Sequence, residues 1–99
     1  MDIERRDYPK YAAPTGAFHH SVRSGNMLFI AGSTARGTSA ETGDIAAQTE
    51  AILDKFQHIL EENGGSLSNI VRVTSFVTDL REAGAAGEVR LKRFAGAFP

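Results

Sequence analysis

Residues 42–80, TGDIAAQTEAILDKFQHILEENGGSLSNIVRVTSFVTDL, constrain the fold more than any other stretch of this chain. They run from a capped amphipathic helix, through a double-glycine stop, into a segment that is apolar on both faces. Asp44 has the chemistry of an N-cap, and Ile45, Ile52, Leu53, Phe56, Ile59 and Leu60 recur at helical spacing along one stripe. Glu50, Asp54, Lys55, Gln57, Glu61 and Glu62 lie away from that stripe. Gly64-Gly65 supplies the positive φ that ends a helix. Beyond it, Ile70–Thr78 alternates as a strand, with Val71, Val73 and Val77 on one side and Ile70 and Phe76 on the other. One helix covers only one face of such a strand, so the other face must meet something else.

The flanks complete a short list of elements. Residues 1–13 mix charge with Pro9 and read as an N-terminal arm whose order depends on docking elsewhere. Ala17–Arg23 and Met27–Ser33 flank Ser24-Gly25-Asn26, the turn chemistry of a β-hairpin. Met27–Ala31 is continuously apolar, which predicts a central strand covered on both faces. Ala35–Gly43 reads as a surface loop. Leu80, Ala83, Gly87, Leu91 and Phe94 recur at three and four residues and predict a second helix, weakened at Gly84 and Gly87 by about 1 kcal/mol each relative to alanine. The order is β-β-α-β-α in one α+β domain, residues 1–99, with helices on one face of the sheet. The second face of Met27–Ile30 and Ile70–Phe76 lacks cover, which predicts a homo-oligomer joined sheet to sheet.

Composition removes several function classes. Eleven basic and twelve acidic residues leave a net charge of −1, so no electrostatic reason favours nucleic acid or an anionic membrane as partner. There is no cysteine, and the longest apolar run is Met27–Ala31, so a cytoplasmic, disulfide-free protein is expected. His19 and His20 are adjacent and, on a strand, point to opposite faces, which prevents both from gripping one metal ion. His58 lies four residues after Asp54, at the spacing of a helix-surface pair. Arg72, Arg81, Arg90, Lys92 and Arg93 read as a solvated basic surface. Glu61 and Glu62 point about 100° apart on a helix and carry no acid–base chemistry. Ser21, Ser33 and Thr34 have no evident base partner, and no glycine pattern forms a phosphate loop.

Three segments in this order, SGNMLFIAGS (24–33), TGDIAAQTEAILDKFQHIL (42–60) and NIVRVTSFVTDL (69–80), resemble the Rid family, also called YjgF, across about residues 14–99. The resemblance implies a chorismate-mutase-like fold and a homotrimer whose sheets form a central barrel. It also implies clefts between subunits in which small enamines or imines are hydrolysed to keto acid and ammonia without a cofactor. There a guanidinium holds the substrate carboxylate, while backbone groups and an acidic residue position water.

By position, the substrate-binding residues it implies are Phe18, Ala31, Gly32, Ser33 and Gly87. Phe18 stands where the family usually has tyrosine, Ala31-Gly32-Ser33 where it has Ser-Gly-Gln, and Gly87 where it has asparagine. No catalytic side chain carries over, and the carboxylate-binding arginine and the water-positioning glutamate would follow Pro99. The chain is therefore expected to lack the family's last two strands, with Arg36 or Arg23 from a neighbouring subunit as alternative cations. Two further functions remain open: a non-catalytic relative that binds a small metabolite, and, ranked last, an endoribonuclease or translation inhibitor.

Overall fold

The computed structural model describes all 99 residues. Three short strands, β1 (Ile3–Arg6), β2 (Ser21–Ser24) and β3 (Met27–Ile30), form an antiparallel sheet in the order β1-β2-β3. Helices α1 (Ile45–Glu62) and α2 (Ala83–Phe94) follow, with single 3₁₀ turns at Leu67–Asn69 and Leu80–Glu82.

The β2–β3 hairpin closes on Gly25-Asn26, with Ser24 opposite Met27. Gly25 takes φ +60° and Asn26 a negative φ, the pattern of a type II′ turn, whose twist matches that of the strands it joins. Helix α1 begins where Asp44 Oδ1 accepts the Ala47 N–H at 2.8 Å. It ends in a Schellman motif: the Gly65 N–H donates to Leu60 O at 2.8 Å and the Gly64 N–H to Glu61 O at 3.1 Å, with Gly64 at φ +81°. Leu53, Leu60, Leu67 and Phe94 form the buried centre of the core, and Leu28, Ile30, Phe56, Ile70 and Val89 pack around it. Arg93 clamps α2 to α1, reaching Asp54 at 2.8 Å, Glu50 at 3.4 Å and the Gln57 amide oxygen at 2.9 Å. It is therefore not the solvated surface arginine expected from sequence.

Three expectations need correction. Residues 1–13 are more than an arm, because Ile3–Arg6 joins the sheet, placing Glu4 opposite Arg23 and Arg6 opposite Ser21. Backbone ladder bonds hold this strand, so it needs no apolar alternation. β3 is an edge strand rather than a central one: Leu28 and Ile30 face the core, while Met27 and Phe29 are exposed. Ile70–Thr78 forms no strand, although Ile70 and the following Asp79 are extended. Residues 71–78 make no backbone–backbone hydrogen bond, since no other strand of the chain lies alongside them. The element order is β-β-β-α-α, and Val71, Val73 and Phe76 are open to solvent.

Candidate functional site

Between the sheet and α1 a buried polar network fixes the N-terminal segment. The Tyr8 N–H donates to His20 Nδ1 at 2.9 Å, and His20 Nε2 lies 2.9 Å from the Ala12 carbonyl. A ring nitrogen that accepts carries no proton, so Nε2 bears the hydrogen and donates it to Ala12. Both ring nitrogens are thus engaged by backbone, and His20 is a structural imidazole with no free base. Asn63 Nδ2 donates to the Tyr8 hydroxyl at 2.8 Å and to Ile59 O at 2.7 Å, and the Tyr8 and Ser21 hydroxyls share a hydrogen bond of 2.7 Å. Asp7 closes the strand end, accepting the His20 N–H at 3.1 Å and facing His19 Nδ1 at 3.2 Å. The His20 amide, opposed by some loss of hydration and aided by His19, holds the exposed Asp7 carboxyl below the ordinary value of 3.8.

That network shapes a cleft of about 210 Å³ between residues 11–15, the loop after β3, and α1. Of the five residues implied by resemblance, Phe18, Gly32 and Ser33 line it. Ala31 lies at its margin, donating its N–H to His20 O and accepting the Ser33 hydroxyl at 3.2 Å. Gly87 sits in α2 and does not line the cleft. The amide N–H groups of Gly32, Ser33 and Thr34 make no hydrogen bond within the chain, and a Cβ built on Gly32 would meet open space. Consecutive unbonded donors beside an aromatic ring can hold a carbonyl, carboxylate or water.

Among the lining residues that sequence reasoning missed are Tyr11 and Lys55, and it offered Arg36 only as an alternative cation. The Lys10 and Lys55 ammoniums each lie 5.8 Å from the centre of the Tyr11 ring, which packs on His58. Burial, and to a smaller extent Asp54, pushes the Tyr11 hydroxyl above its usual value. Burial, then the nearby Arg36 charge, pushes the Lys55 ammonium down. His58 pairs with Glu62 at 3.7 Å rather than with Asp54, which Arg93 has taken.

Residues 9–99 match the family model described as Endoribonuclease L-PSP. A RutC family protein of Pyrococcus abyssi is 33% identical over 95 residues, covering 91% of this chain and 73% of its own length. Reactive Intermediate Deaminase A of Arabidopsis thaliana is 27% identical over 95 residues, which are 91% of this chain and 50% of that one. A Thermotoga maritima structure described as a candidate endoribonuclease superposes with TM-score 0.86 at 28% identity, over 97% of this chain and 78% of that one. Yeast Mmf1, at 24% identity, shares the fold with TM-score 0.84. The chain belongs to the Rid (YjgF) family. No helix is long and apolar enough to cross a membrane.

Proposed function

We propose that this protein hydrolyses small enamine or imine intermediates to a keto acid and ammonia, without a cofactor, as a cytoplasmic homotrimer. One observation carries the proposal: Phe18, Gly32 and Ser33, implied from two separated segments, line a single cleft beside unbonded amides and two cations. A family relative is named a reactive intermediate deaminase. An enamine first tautomerises to the imine. Water then adds to the carbon of the protonated C=N bond, a proton passes from oxygen to nitrogen, and the C–N bond breaks to leave a carbonyl and ammonium. The iminium carbon is already electrophilic, so the protein's contribution is to place substrate and water. Phe18 would cover the apolar body of the substrate, and the Gly32–Thr34 amides would bind oxygen. Exposed Met27, Phe29, Val71, Val73 and Phe76 support the trimer, being apolar surface that a second copy could cover.

The test couples the protein to an amino-acid oxidase that releases imines, with semicarbazide as a trap. Keto-acid release should accelerate in proportion to the protein added; release at the uncatalysed rate removes the proposal.

The absence of any Asp or Glu from the cleft lining favours a second function, binding of a small metabolite without turnover. Melting shifts across a metabolite panel, with no keto-acid release, would select it. Ribonuclease action ranks last, because the net charge is −1 and His20 is tied to backbone at both nitrogens.

A further inference from the structure

Most ion-paired arginines of this chain are easy to account for. Arg6 meets Glu62, Arg81 meets Asp79, and Arg93 meets Asp54 and Glu50. Arg36 and Lys55 differ. Neither forms an ion pair, and both face the same cleft, whose lining contains no carboxylate. The one bond of the Arg36 guanidinium within the chain is a long contact, 3.4 Å, to Ala13 O. The Lys55 amine has no hydrogen-bond acceptor in the chain. Its own helix offers it no carboxylate, because the residues three and four positions away are Ala51, Ile52, His58 and Ile59. Asp54, next along the chain, is held by Arg93 at 2.8 Å. Two like charges are thus brought together in a partly dehydrated space with no carboxylate opposite them, an arrangement that costs free energy unless an anion completes it.

We infer that Arg36 and Lys55 form a binding site for the anionic group of a small organic molecule. The inference rests on the cleft being the functional site proposed above. The fork of Arg36 suits a carboxylate or phosphoryl oxygen pair, while Lys55 acts as a point charge from the α1 side. The apolar body would extend toward Pro14, Ala51 and Phe18. A volume of about 210 Å³ lies below the ~300 Å³ at which drug-sized pockets begin, so the ligand is small. An anion would also relieve the pressure that burial and Arg36 place on the Lys55 proton.

The experiment is a ¹H–¹⁵N NMR titration of the full chain with sodium butyrate and, separately, sodium phosphate, each against sodium chloride at matched ionic strength. Saturable shifts are expected at the Gly32–Thr34 amides and at Tyr11. Lys55→Gln and Arg36→Gln should each weaken binding about tenfold, the loss expected for one charge-assisted contact. Both side chains reach solvent, so the variants retain the fold, and the unshifted core amides check this. Tighter binding of butyrate assigns the anion to a carboxylate, and tighter binding of phosphate to a phosphoryl group. No saturable shift with either anion, or unchanged affinity in both variants, overturns the inference. Binding is read without turnover. If the titration fails while keto-acid release persists, only the anion pair is rejected; anion binding without release rejects only hydrolysis.

Discussion

The network around Tyr8 and the segment at residues 70–79 treat their polar groups in opposite ways. At Tyr8, every buried side-chain donor and acceptor finds a partner inside the protomer. At residues 71–78, the backbone bonds to nothing in the chain, and Val71 and Phe76 stand 78% and 91% exposed. One region is closed upon itself and shapes a cleft. The other resembles half of a contact. A chain with only ten buried residues of 99 gains little from a second apolar surface left in water, which is why the open segment reads as surface for assembly.

The contrast can be broken most forcefully in the core that both regions share. Leu60→Ala should destabilise the protein by about 2–5 kcal/mol in urea unfolding, whereas Phe76→Ala should change protomer stability by less than ~0.5 kcal/mol. Equal losses would mean that the 70–79 segment is packed within the protomer after all. Tyr8→Phe comes next, since it strips the hydroxyl between Asn63 and Ser21. A loss of about 1–3 kcal/mol follows if the bridge is buried and closed, and unfolding at the wild-type midpoint would show it to be replaceable by water.

The smallest effect is electrostatic. Asp7 has its folded value depressed, chiefly by the His20 amide, so its contribution is present above pH 3.8 and fades as pH falls through the lower folded value. Amide exchange in β1 should accelerate over that acid range in the wild type, and Asp7→Asn should flatten the dependence. An identical acid profile in the variant would assign the loosening to another group.

Much of this was legible in local sequence. The Asp44 cap, the Gly64-Gly65 stop and the Gly25-Asn26 turn are decided by a few neighbouring residues, and each forms as its chemistry dictates. β1 was not legible, because Ile3-Glu4-Arg5-Arg6 has no apolar alternation and is held by its ladder with β2. The pattern of Ile70–Thr78 is that of a strand, but a strand also needs a neighbour, and none of the chain's own strands takes that place. In the cleft, Phe18, Gly32 and Ser33 came from resemblance. Tyr11 sits in a charged segment without apolar periodicity and Lys55 away from the apolar stripe of α1, and only the tertiary fold brings them together.

Sedimentation velocity of the full chain at micromolar concentration, with Phe76→Glu alongside, tests the division of labour between the two regions most directly. The wild type should sediment near three times the 10.6 kDa chain mass, and Phe76→Glu should fall to a folded protomer with unchanged helix content. A wild-type chain that remains a compact, well-behaved monomer would contradict the account.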